Sequence, residues 1–258
     1  YVAHNNPNHS WHTILVSVMG TRTALEIIMA IRKQENEIYN KNGFVVLDKF
    51  IEYETSLILF HHVMMSARRA KYAQVNEPDL YDDEKQHYGH FDNAGGCLDK
   101  PVWNKYADGV IETVLSLATP MIEEIVGKKL MPTYSWARLY EHETSMARHI
   151  DKSECDVSAT LTLGYELHNM EDKDKENYCW PIFFGDVSGR KGTEGTPIQL
   201  LPGQMCVYQG TKIEHWREPF RGVHHAQVFL HWVEKKEENE HLYMDSRPML
   251  GLNSDFTK

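Results

Sequence analysis

Cysteine is scarce in this chain, and no two cysteines are close together. The 258 residues hold 4 of them, Cys97, Cys155, Cys179 and Cys206. None forms a C-x-x-C pair, which excludes a thiolate zinc knuckle and a dense disulfide framework. Free thiols are expected, as in a reducing compartment, and a soluble cytoplasmic protein with them. Long apolar runs are also missing. Nothing approaches the roughly 20 residues that cross a bilayer, so no membrane partner is expected. No secretory leader is recognisable, although the chain opens at Tyr1. Asn8-His9-Ser10 is a glycosylation sequon, which carries no weight outside the secretory path. Basic residues are in deficit, 27 Lys+Arg against 37 Asp+Glu, for a net charge of -10. That excludes a nucleic-acid backbone as main partner. It leaves room for a small anion held by one or two buried cations. There is no internal repeat and no low-complexity tract.

What is present is enough apolar material for a sizeable core, 41% hydrophobic and 11% aromatic. Residues 1–20 read as a loose arm. Residues 21–39 read as a helix on the stripe Leu25, Ile28, Met29 and Ile31. A turn and short strand follow over 41–50, then a second helix over 53–73. Residues 76–102 are polar and aperiodic, and predict a long loop. Residues 110–129 predict two helical pieces, with Thr119 capping the second, Pro120 in its first turn and Gly127 as the stop.

From Pro132 the texture changes. Tyr134, Trp136, Arg138 and Tyr140 alternate onto one strand face. Further β-rich runs lie at 156–165, 205–209 and 224–233, with a turn at Pro202-Gly203. Helices first and antiparallel strands after predict a mainly β, α+β architecture. Its core would be a jelly roll, or double-stranded β-helix, with N-terminal helices packed on one sheet. The expected organisation is an arm and helix over 1–42 and one domain over 43–258. Trp136, Trp180, Trp216 and Trp232 are expected to pack in the core or its rim.

The sequence carries H-x-D twice. His149-Ile150-Asp151 lies between two predicted strands, and on a strand i and i+2 point the same way, so both side chains can meet one ion. His90-Phe91-Asp92 lies in the predicted loop and reads as a solvated turn or a lid. His215 follows a strand and the Gly210 turn, and is the best third ligand. Two His and one carboxylate leave three positions open on iron(II) for a co-substrate and oxygen.

The ordered set RLYEHETSMARHID, LLPGQMCVYQGTKIEH and HWREPFRGVHHAQVFLHW resembles the 2-oxoglutarate/iron(II) oxygenases of the prolyl-hydroxylase-like group. It is similar also to a phage and marine-microbial branch of that group. GFVVLDKF resembles their opening strand, so the resemblance runs from about residue 43 to 235. In that family a Tyr stands about nine residues before the first ligand, as Tyr140 does before His149. The distal His follows the Asp by 60 to 70 residues, and Asp151 to His215 is 64. A Pro four past that His is matched by Pro219. The resemblance implies Fe(II), 2-oxoglutarate and molecular oxygen, and hydroxylation of a small molecule or peptide.

One departure concerns the basic residue that grips the distal carboxylate of 2-oxoglutarate, nine or ten past the distal His. Here those places hold His224 and His225. Ala226, Val228 and Leu230 share the face of His224, the more apolar one, so His224 is expected to point inward. Arg138, beside Tyr140, and Arg217, two past His215, are the other available cations. Thr160 and Thr162 are strand hydroxyls that could serve the cosubstrate's other end. Two rivals stay open. One is a cupin-like metal dioxygenase or isomerase that does not use 2-oxoglutarate. The other is a non-catalytic jelly-roll binding module.

Overall fold

The computed structural model describes residues 21–252. The expected arm and the Asn8 sequon lie outside them. Helix α1 (Thr21–Asn42) ends at Gly43, whose φ of 77° turns the chain into strand β1 (Phe44–Leu47). Helices α2 (Tyr53–Asn76) and α3 (Pro78–Tyr88) follow. Then come strands β2 (His90–Asp92) and β3 (Val102–Tyr106), helix α4 (Gly109–Val126) and strand β4 (Leu130–Glu141). Strands β5 (Met146–His149) and β6 (Val157–Glu166) precede the single turn α5 (Asp172–Lys175). Strands β7 (Ile182–Phe184), β8 (Thr196–Ile198), β9 (Met205–Tyr208), β10 (His215–Arg217) and β11 (His224–Glu234) complete the sheets. A 3-10 segment spans Glu237–Ser246.

The strands form two antiparallel sheets. The larger has the order β1-β9-β6-β11-β4-β3-β2 and the smaller β5-β10-β7-β8. Helices cover one face of the large sheet, and the small sheet faces the other. Two apolar clusters result. Ala159, Leu161, Ala226, Val228 and Leu230 pack against Val63, Ile111 and Ile122 of the helices. Tyr140, Phe229, Tyr208 and Cys206 pack against Ile182 and Phe184 of the small sheet. Because their residues alternate between these clusters, the central strands β6 and β11 are buried on both faces. Among the described residues, no helix is long and apolar enough to cross a membrane.

Three local expectations change. Residues 76–102 are not one loop. Pro78 opens α3 in the position its missing N–H suits, Tyr81 is buried, and Trp103 Nε1 donates to Tyr88 O. His90-Phe91-Asp92 is an edge strand, pairing with Val102–Asn104. Residues 110–126 form a single helix through Pro120. Thr119 caps nothing: its hydroxyl donates back to Leu115 O and accepts from Trp232 Nε1. The helix continues because one buried stripe, Ile111, Leu115, Ala118, Ile122 and Ile125, runs its whole length. Its actual cap is Asp108, which accepts from the N–H groups of Val110 and Ile111. Gly127, at φ 74°, ends it as expected.

Candidate metal centre

His149 ends β5 and Asp151 lies just past it. His215 opens β10 and is the direct cross-strand partner of His149. That pairing brings together residues far apart in the chain. His215 Nε2 is 3.4 Å from Asp151 Oδ1, and His149 Nε2 is 3.8 Å from the same oxygen. Ligand atoms of all three lie within 4.8 Å of one another. Two donors at right angles, each about 2.1 Å from one ion, would sit about 3 Å apart, so a small closure suffices.

Backbone carbonyls orient both imidazoles. His149 Nδ1 is 2.8 Å from Ala147 O, and His215 Nδ1 is 3.1 Å from Ile213 O. With Nδ1 donating, Nε2 is left as the acceptor a metal requires. Asp151 is fixed at two points, and one of its partners is itself held. Its N–H donates to Gly210 O, Ser158 donates to Oδ2 at 2.6 Å, and His231 Nδ1 stands 3.0 Å from the same Ser158 hydroxyl. Burial pushes the Asp151 carboxyl upward, but the charge and hydrogen bond of His215 outweigh it and hold the group far below the usual range. The three residues therefore aim one carboxylate oxygen and two imidazole nitrogens toward a single point. That donor set suits a first-row divalent metal with open positions.

A pocket of about 320 Å³ opens onto the three side chains. Arg138 and Phe229 line it, and Trp136, Tyr134 and Tyr106 form its outer wall. Trp136 is thus a pocket residue, while Trp180, Trp216 and Trp232 are buried in the core. Cys97 is also at the pocket, beside His149, whose hydrogen bond draws the thiol's pKa down. All four cysteines are free. Asp92 reaches the same pocket, but its H-x-D partner His90 is 2.7 Å from it and the two close on each other.

His224 does not point inward. It pairs with Glu166 at 2.7 Å, and His225 is the buried one, 1% exposed. The apolar alternation that favoured His224 belongs to the helix-facing side. The side toward the small sheet carries His225, Gln227, Phe229 and His231. Burial and then the charge of Arg217 press the His225 pKa down to about 3. Thr160 accepts from Gln227 Nε2 at 2.6 Å, while Thr162 donates to Gln227 Oε1.

Two buried guanidinium groups are the candidate cations: Arg138 lines the pocket, and Arg217 is not among its lining residues. Arg138 Nη1 donates to Tyr140 Oη at 3.0 Å, and both groups aim at Met146 Sδ. A thioether is a weak acceptor for two such donors. Arg217, wholly buried, donates Nη1 to Trp180 O, and its Nε and Nη2 have no hydrogen-bond partner. A buried cation with idle N–H groups is costly unless an anion meets it.

No family model matches the chain, and no curated protein matches it. Solved structures do. A Pseudomonas putida prolyl-4-hydroxylase aligns over 80% of this chain and 100% of its own, with TM-score 0.54 and 12% identity. A Trichoplax adhaerens prolyl hydroxylase, solved with a hypoxia inducible factor oxygen degradation domain peptide fragment, covers 84% of this chain and 94% of its own, with TM-score 0.52 and 13% identity. A non-heme alpha ketoglutarate dependent carbocyclase from nogalamycin biosynthesis covers 85% and 91%, with TM-score 0.53 and 12% identity. The fold is that of 2-oxoglutarate/iron(II) oxygenases. At these identities the likeness speaks for the fold alone.

Proposed function

We propose that the protein is an Fe(II)- and 2-oxoglutarate-dependent dioxygenase that hydroxylates an unactivated C–H bond of a peptide, amino acid or small metabolite. The observation that carries this reading is the convergence of His149, Asp151 and His215 at the floor of a pocket, with donors left idle behind it. On this reading the two sheets form a double-stranded β-helix, and the prolyl-hydroxylase-like neighbours support it.

His149, Asp151 and His215 would hold the iron. Tyr140 and Arg138, bonded to each other and both directed at the weak acceptor Met146 Sδ, and Arg217, with idle Nε and Nη2, fit the distal carboxylate of 2-oxoglutarate. They take the part the family gives to a strand Arg or Lys. His225, kept neutral by burial, adds no charge there. Bound iron and 2-oxoglutarate supply the oxidising chemistry with molecular oxygen. The chain orients both ligands, and Phe229, Tyr208 and Met146 narrow the pocket against water.

The test is anaerobic addition of Fe(II) and then 2-oxoglutarate to the purified protein. The expected result is the visible charge-transfer band of a chelated keto acid, lost in His149→Ala. Metal binding without the band favours a cupin-like enzyme that ignores 2-oxoglutarate. Absence of stoichiometric metal leaves a non-catalytic jelly roll and sinks the proposal.

A further inference from the structure

The outer wall of the pocket is built from aromatic rings in mutual contact. Tyr134 and Tyr106 have centroids 5.4 Å apart, Tyr106 and Trp136 are 6.0 Å apart, and His90 meets Trp136 edge-on at 6.4 Å. Two carboxylates flank this shelf, Asp245 beside Tyr106 and Asp92 beside His90. Neither of the pocket's two cations stacks on Tyr106 or Trp136. Arg138 is tied to Asn104 and Tyr140, and Lys152 is an exposed residue near Tyr134, at the end of the shelf next to the metal ligands.

Asp245 is held in place against backbone preference. Met244, Asp245 and Ser246 have φ of 52°, 54° and 58°, three successive non-glycine residues in the left-handed region. Such strain persists only where surrounding contacts enforce it, and it concentrates at functional positions. Here Arg247 enforces it. The Arg247 side chain is 1% exposed, donates to Glu112 through both terminal nitrogens, and returns Nε to Met244 O. It also lies 5.0 Å from the Tyr106 ring without reaching the pocket. Asp245 accepts one hydrogen bond, from Tyr106, and its Oδ1 has no partner among the described residues.

We propose that this shelf recognises an organic cation, an ammonium or guanidinium group of the substrate, laid on Tyr106 and Trp136 and paired with Asp245. Aromatic faces attract such ions, more strongly once water is excluded, and a carboxylate adds direction. This deepens the oxygenase reading by naming the substrate class, and its test does not depend on that reading.

The experiment uses the full chain without added metal, labelled with fluorotryptophan. The Trp136 resonance is assigned by its loss in Trp136→Phe, and the probes are n-butylammonium and its near-isosteric anion butyrate. Butylammonium should shift the Trp136 signal saturably, and butyrate should not. Asp245→Asn should weaken the cation at least tenfold. Tyr106→Phe keeps the ring but removes the competing hydrogen bond, and should tighten it. This second variant decides the matter if Asp245→Asn perturbs the segment's fold. A shift by butyrate, no shift by either probe, or affinity indifferent to both substitutions overturns the proposal. Cation binding in a protein that shows no keto-acid band upholds this inference and rejects the oxygenase.

Discussion

Ser158 donates a 2.6 Å hydrogen bond to Oδ2 of Asp151 and leaves Oδ1 facing the two histidines. One oxygen is thereby held for the protein and one freed for a metal. Ser158→Ala removes the tether and leaves a buried carboxylate oxygen unsatisfied. Outer partners of metal ligands typically contribute about 10- to 100-fold in affinity. Fe(II) or Co(II) titration of this variant should show weakening in that range, with the circular dichroism spectrum unchanged. Affinity equal to wild type would mean that Gly210 alone positions Asp151.

Gly210 supplies the other half of that positioning. A Cβ there would lie 2.4 Å from Cys155 O and Ser158 Oγ and 2.5 Å from Asp151 Oδ2. Backbone cannot yield as a flexible side chain does, so the strain falls on Asp151. Gly210→Ala should destabilise the fold by about 1–3 kcal/mol and abolish stoichiometric metal binding. Urea denaturation and metal titration read the two effects separately. A variant that binds metal normally would show that the loop shifts freely.

Much of this site was legible in the sequence, for a physical reason. His149 and His215 stand at strand ends inside a long β texture, where spacing and turns restrict what can meet. The inward histidine was not legible. Alternation identifies an apolar face, but a sheet covered on both sides has two buried faces, and the more apolar one turned toward the helices. Helix α3 was hidden because PDLYDDEKQHY has little apolar periodicity, and its support comes from packing on α2 and from Trp103 of β3. Asp245 sits 139 positions from its partner Tyr106, so no local pattern announces it.

His225 makes folding pH-dependent. Its pKa is about 3 in the folded protein, against about 6.5 for an unperturbed histidine. Between those values the unfolded chain holds a proton that the folded one does not. Stability from this residue is therefore lost as pH falls below about 6.5, by at most about 1.4 kcal/mol per pH unit. His225→Gln should flatten the pH dependence of unfolding free energy between pH 6.5 and 4 by that slope. Urea denaturation of both proteins at three pH values gives the difference, in which the carboxylates common to both cancel. Parallel curves would mean that His225 is protonated and paired in the fold.

On the proposed reading, Arg217 sets stability against function. Its guanidinium is wholly buried, stacks 4.5 Å from Trp180, and keeps one hydrogen bond while two nitrogens go without. Each unsatisfied buried donor group costs about 1–3 kcal/mol, and replacing buried charge by apolar bulk is often stabilising. Arg217→Met should therefore raise the melting temperature of the ligand-free protein, by about 1 kcal/mol in unfolding free energy. The same change should weaken 2-oxoglutarate at least tenfold, because Tyr140 and Arg138 alone cannot replace the lost charge. Thermal denaturation and titration of the charge-transfer band measure the two directions in one preparation. A more stable variant with undiminished 2-oxoglutarate affinity would transfer the carboxylate to Arg138. A less stable one would show that stacking on Trp180 outweighs the idle donors, and that Arg217 is held for the fold.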